Sequence, residues 1–181
     1  MPTEMFLAHR REQERVDRWN AALYLGGLGL LMSLAIGARE AAARRSAWSP
    51  ILTAPLGGIG GAVGGVLGCM VLQYVRTNVG QAELIHTMEA QLATCVPLGL
   101  GVGLGLGLTT WTAIGTVKYG LTGVAGGAVA AVAYSVAIAL FMPETNTDAL
   151  LPEEAGARLL WLAMAAGTVA LIIPLAGRPR G

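Results

Sequence analysis

Charged residues are unevenly spread along the chain, and five stretches contain none at all. The stretches cover residues 19–38, 46–75, 90–117, 119–143 and 159–177. Each is close to or longer than the roughly 20 apolar residues with which a helix crosses the hydrocarbon core of a bilayer. Their uniform apolarity lacks the alternation of barrel strands, which leaves helices as the structure that satisfies backbone hydrogen bonds in lipid. The sequence predicts an all-α membrane protein with five transmembrane helices, at about 19–38, 53–75, 92–114, 120–142 and 159–177.

The remaining segments define the domain organisation. Residues 1–18 carry four Arg and four acidic residues, with Arg10, Glu14 and Arg18 at the four-residue spacing that pairs opposite charges on a helix. We therefore expect a charged helical extension that continues into the first span. The apolar run after it is longer than the 7–15 residues of a secretory signal, so this helix is expected to be retained. Residues 19–177 form a single transmembrane domain, and 178–181 a short C-terminal tail.

Composition supports the membrane class. Hydrophobic residues make up 54% of the chain and charged residues 13%, against roughly a quarter charged in soluble domains. The net charge of +1 gives no electrostatic reason to expect a nucleic-acid partner. Cys69 and Cys95 both fall within predicted spans, where two thiols behave as small hydrophobes and cannot complete a zinc site. No cofactor or metal is expected.

Orientation in the membrane is weakly encoded. A tight turn predicted at Lys118 and an acidic loop at 144–158 separate the later spans. Lys and Arg residues near the helix ends number six on each side, so the positive-inside rule returns a tie. The shorter basic loops favour an outside N-terminus and place the acidic loop on the non-cytoplasmic side. A plasma or inner membrane is the expected location.

Glycine in the second span is confined to one side. On a helical wheel these glycines fall within an arc of about 160°. They form two ladders with four-residue spacing, in which small residues let a neighbouring backbone approach closely. The predicted packing positions are Gly57, Gly60, Gly61, Gly64, Gly65 and Gly68, with Gly58 in the same arc.

Glycine in the third span forms two stripes instead. Gly99, Gly103 and Gly107 lie on one side of the helix, and Gly101 and Gly105 lie on nearly the opposite side. A helix that is narrow on two sides suits the middle of a bundle. The second span and a small face of the fourth span are its expected neighbours, the latter formed by Gly123, Gly126, Gly127 and Ala130.

The same glycines permit another interpretation of the third span. Each interior Gly costs about 1 kcal/mol of helix propensity relative to Ala, and Pro97 weakens the helix further. Such a helix is also typical of a hinge or a broken-helix binding site of the transporter type. A faint similarity at an offset of 66 residues, which relates 59–66 to 125–132, suggests that spans two and three are repeated as spans four and five.

Candidate chemistry is sparse. Thr109, Thr112 and Thr116 end the third span, where they either line a polar path or bond back to the preceding helical turn. Glu83, His86 and Glu89 share a helix face, which resembles half of a di-iron ligand set, but no second set lies on another span. Since ionisable residues at membrane depth usually mark function, their scarcity argues against an enzyme.

The sequence thus leaves two functions open. The first is a structural or assembly protein, which packs as a tight helix bundle or as a subunit of a membrane complex. The second is a small channel or carrier for an uncharged or weakly polar solute, with a path beside the third span. The expected partners are the lipid bilayer and either further copies of the chain or other membrane subunits.

Overall fold

Five α-helices account for nearly all of the structure, a computed structural model that describes residues 2–44, 48–78, 84–141 and 154–177. No strand occurs in these ranges. In chain order the helices are α1 (Pro2–Arg44), α2 (Trp48–Asn78), α3 (Leu84–Leu108), α4 (Ala113–Phe141) and α5 (Ala155–Gly177). The predicted acidic loop lies mainly outside the described residues.

Four of these helices are long and apolar enough to cross a membrane. The qualifying segments are Arg11–Arg39, Pro50–Val75, Ile85–Leu108 and Ala113–Phe141. The chain is therefore a helical, multi-pass membrane protein. The fifth predicted span, 159–177, falls within α5, and its crossing of the bilayer remains a prediction.

The first helix is far longer than a span requires. α1 runs without interruption over 43 residues, which corresponds to roughly 64 Å at 1.5 Å per residue. The charged extension is thus continuous with the first apolar stretch. At the other end α1 continues through Arg44, six residues beyond the end of the first uncharged stretch.

The turn between α3 and α4 differs from the prediction. The prediction of a tight turn at Lys118 is wrong, because Lys118 lies inside α4. The chain reverses at 109–112 instead, within the predicted third span of 92–114. Trp111 adopts a positive φ of 54° there, and the Thr112 hydroxyl accepts a 3.1 Å hydrogen bond from the Gly115 amide at the start of α4. Threonine hydroxyls favour such helix ends, whereas lysine is a good helix former.

Consecutive helices pack against each other along the chain. The most extensive interfaces are α1–α2, α2–α3 and α3–α4, with a smaller one between α4 and α5. α3 also touches α1 and α5, so it contacts all four other helices. One buried cluster draws residues from all five helices, with Trp161 of α5 exposed by only 1%.

Candidate functional site

The α1–α2 interface is built on direct contact between glycine and backbone. A methyl group placed on Gly61 would overlap the carbonyl oxygen of Leu25, and one placed on Gly65 would lie 2.6 Å from the carbonyl oxygen of Ala21. A methyl group on Gly57 would lie 2.7 Å from the carbonyl oxygen of Gly29. Real Cβ atoms do not approach backbone this closely, so these positions exclude any side chain.

The α2–α3 interface uses the other ladder of α2. A methyl group on Gly60 would lie 2.5 Å from the Pro97 carbonyl oxygen and 3.0 Å from the Gly101 Cα. One on Gly64 would overlap the carbonyl oxygen of Thr94. The two ladders of α2 therefore face different neighbours, Gly57, Gly61 and Gly65 towards α1 and Gly60 and Gly64 towards α3.

The two glycine stripes of α3 are likewise divided between its neighbours. A methyl group on Gly101 would overlap the carbonyl oxygen of Leu56 in α2. One on Gly105 would lie 2.7 Å from the Cα of Thr53, also in α2. On the other side the contacts are with α4. A methyl group on an α3 glycine would meet backbone of α4 at three positions: Gly99 at the Gly123 carbonyl, Gly103 at the Tyr119 carbonyl and Gly107 at the Thr116 Cα. Conversely, a methyl group on Gly127 of α4 would meet the Cys95 carbonyl of α3.

The remaining glycines of the predicted face are less uniform. Gly68 is buried on α2. Gly58 has room for a side chain, since a methyl group there would lie 3.5 Å from the nearest atoms of α1. Membership of the arc on the helical wheel therefore does not by itself imply a close contact.

Sequence reasoning missed the glycines of α1. A methyl group on Gly29 would overlap the Gly57 carbonyl oxygen, and one on Gly37 would lie 2.8 Å from the Pro50 Cα. The signal was present, because Ala21, Leu25, Gly29, Ser33 and Gly37 follow each other at four-residue spacing. Only Gly27 of the described α1 glycines has open space around it.

A small polar contact lies within the α1–α2 interface. The Thr53 hydroxyl donates a 3.0 Å hydrogen bond to the backbone carbonyl of Ser33. The Ser33 hydroxyl is fully buried, has no hydrogen-bond partner among the described residues, and faces Gly57. A polar contact at this depth links two helices, as polar side chains commonly do in membranes.

A second polar contact connects α5 to the centre of the bundle. The indole Nε1–H of Trp161 donates a 2.8 Å hydrogen bond to Gln91 Oε1 of α3. Both side chains are buried. Because an unpaired indole or amide would be costly in this surrounding, the bond fixes the position of α5 relative to α3.

The threonines proposed to line a path lie at one end of α3 and α4. The hydroxyls of Thr109 and Thr116 donate to backbone carbonyls of Leu106 and Thr112, at 2.6 and 3.1 Å. The Thr112 hydroxyl accepts from the Gly115 amide. The three hydroxyls thus bond to nearby backbone.

Ionisable residues form no metal-binding group within the part of the chain that the structure describes. His86 Nδ1 and Glu89 Oε2 are 3.2 Å apart on an exposed face of α3, and Glu83 lies outside the described residues. Lys118 is exposed within the apolar segment of α4. A lysine in such a position can extend its ammonium group towards the membrane surface.

The features above define a class: a multi-pass helical membrane protein. Comparison with known proteins adds no narrower assignment. The chain matches no protein-family model, no curated protein and no solved structure.

Proposed function

We propose that the chain is a structural membrane protein of the assembly type, which packs as a tight helix bundle and serves as a scaffold or subunit in a plasma or inner membrane. One observation carries the proposal. At three successive interfaces, from α1 to α4, glycine positions meet the backbone of the next helix. Association by close van der Waals contact is a main source of helix packing in lipid.

The polar groups of the bundle support the same role. The hydroxyls of Thr94 and Ser135 donate to the carbonyls of Ala90 and Ala131 on their own helices, at 2.9 and 3.0 Å. Gln91 pairs with Trp161. These three buried side chains form hydrogen bonds within or between helices, which is typical of packing rather than of a solute site. We therefore also propose that the chain is not an enzyme.

The alternative is a small channel or carrier beside α3. It would need Thr109, Thr112 and Thr116 to face a passing solute. Their hydroxyls bond to nearby backbone at one end of the helices, and both sides of α3 are in contact with its neighbours. The alternative therefore has less support than the scaffold.

Reconstitution into liposomes tests the two functions against each other. Vesicles with the full chain are mixed with glycerol, as a small uncharged solute, and their swelling is followed by light scattering. A scaffold leaves the swelling rate at that of protein-free vesicles. Faster swelling that Thr112→Val slows would replace the scaffold with the carrier, and Thr122→Val, which removes a threonine hydroxyl within α4, is the control.

A further inference from the structure

Lys118 places a charge on the outer surface of the apolar part of α4. It is the single lysine of the chain, and its side chain is exposed. Ile114 and Leu121, about one turn away on either side, are 82% and 65% exposed. The adjacent Tyr119 is buried, and its carbonyl meets Gly103 of α3. Lys118 therefore points away from the other described helices and towards lipid.

Contacts between the helices give the depth of Lys118 in the bundle. Gly103, which meets α4 beside Lys118, lies about half a turn from Gly105 of the same helix. Gly105 meets Thr53 of α2, and the Thr53 hydroxyl donates a hydrogen bond to the Ser33 carbonyl of α1. Lys118 and Ser33 are therefore at a similar depth.

Exposed charges at the other end of the bundle mark one boundary of the membrane. Asp17 on α1 and Glu89 on α3 are both exposed. From Asp17 to Ser33 the helix rises about 24 Å, and from Glu89 to Gly103 about 21 Å. Both values are smaller than the hydrocarbon thickness of about 30 Å. The backbone of Lys118 thus lies roughly 6–9 Å inside the far surface.

No carboxylate in the part of the chain that the structure describes is placed to neutralise this lysine. The described acidic side chains belong to the opposite end of the bundle and are Glu12, Glu14, Asp17, Glu89 and Glu154. Glu40 lies at the same end as Lys118 but on α1, whose interfaces are with α2 and α3. Because a charge at membrane depth is costly without a partner, Lys118 requires a counter-charge from its surroundings.

The direction of the side chain leads towards the membrane surface. In a helix the Cα–Cβ bonds tilt towards the N-terminus, which for α4 is the side of the turn at 109–112. The four-carbon stem of Lys118 can follow the apolar helix surface in this direction and carry the ammonium group to the interface. Trp111 in the turn is 80% exposed, and tryptophan prefers the level of the lipid headgroups. At this level the negative groups of the surroundings are lipid phosphates.

We propose that Lys118 binds the phosphate of an anionic phospholipid, whose headgroup lies beside the turn between α3 and α4. Charge complementarity favours an anionic over a zwitterionic lipid, since the headgroup of the latter carries its own cation. One lysine near an anionic surface strengthens binding about fivefold. The inference goes beyond the scaffold role and does not depend on it, because a carrier would expose the same face of α4.

Photo-cross-linking in liposomes tests the site. The photoreactive amino acid benzoylphenylalanine replaces Ile114, one turn from Lys118, in vesicles of equal parts phosphatidylglycerol and phosphatidylcholine. Mass spectrometry of the irradiated chain counts the two lipid adducts. Phosphatidylglycerol adducts should exceed phosphatidylcholine adducts about fivefold. Lys118→Gln should bring the ratio close to one, and Lys118→Arg should retain the excess because it keeps the charge.

The same photoreactive residue at Val132 is the matched control. Val132 is exposed on the same side of α4, about five turns further along, and so lies in the opposite leaflet, where no preference is expected. Equal adduct ratios at both positions, or a ratio at Ile114 that Lys118→Gln leaves unchanged, would overturn the lipid site. Adducts with protein in place of lipid at Ile114 would overturn it in favour of a protein partner. These outcomes leave vesicle swelling and the glycine contacts untouched, so the scaffold stands or fails separately.

Discussion

Gly99 of α3 and Gly123 of α4 exclude each other's side chains. A methyl group on either residue would overlap the carbonyl oxygen of the other. The contact is therefore made by two backbones, so rotation of a side chain cannot relieve an overlap on either helix. Reciprocal contact of this kind makes the α3–α4 interface sensitive to the smallest possible enlargement.

Gly99→Ala should consequently destabilise the protein despite the better helix propensity of alanine. Overpacking of a closely packed site costs about 1–3 kcal/mol, which outweighs a gain of up to about 1 kcal/mol in propensity. Thermal unfolding in detergent measures the difference. Gly167→Ala is the control, because that glycine has open space around it. If both variants unfold at the same temperature, the α3–α4 interface has room for a methyl group at Gly99.

The two ladders of α2 lead to a second prediction. Gly61→Leu should separate α1 from α2, and Gly64→Leu should separate α2 from α3, because each position meets backbone of a different neighbour. Val63→Leu, on the exposed side, should leave stability nearly unchanged. Unfolding temperatures of the three variants in one detergent provide the comparison, and similar values for all three would place the ladders in lipid.

The hydrogen bond between Gln91 and Trp161 can be measured by a double-mutant cycle. Gln91→Leu and Trp161→Phe should each lower the free energy of unfolding, and the double variant should cost less than their sum. A coupling of about 0.6–1.7 kcal/mol is expected for such a contact in a membrane protein. A coupling of zero would show that α5 is held by packing alone. Thr122→Val, on the exposed side of α4, controls for loss of a polar group elsewhere.

The predicted orientation is open to labelling. Asp148→Cys should react with a membrane-impermeant maleimide from the non-cytoplasmic side, and Ser46→Cys from the cytoplasmic side. Both positions lie outside the described residues and belong to predicted loops, so substitution should disturb the bundle little. Labelling of Asp148→Cys from the cytoplasm only would invert the orientation.

Much of the fold could be predicted because its signals are local. Stretches without charge identify helices by length alone, and the stripes of α3 follow from the helical period. The turn at 109–112 was missed because Trp111 and its neighbours are uncharged, so the pattern does not change there. The bond from Gln91 to Trp161 joins residues 70 apart, and the division of the α2 ladders between α1 and α3 depends on the arrangement of whole helices, which no local period encodes.

The glycine contacts have a consequence for how this chain can vary. At a buried leucine such as Leu25, a residue of similar volume can be exchanged with modest cost. At Gly61 no such exchange exists, because every other amino acid adds atoms to a site where the neighbouring backbone already lies. Every substitution at these positions therefore introduces a larger residue. Substitutions are therefore tolerated on the outer faces of the bundle, whereas the glycines that meet a neighbouring backbone accept almost none.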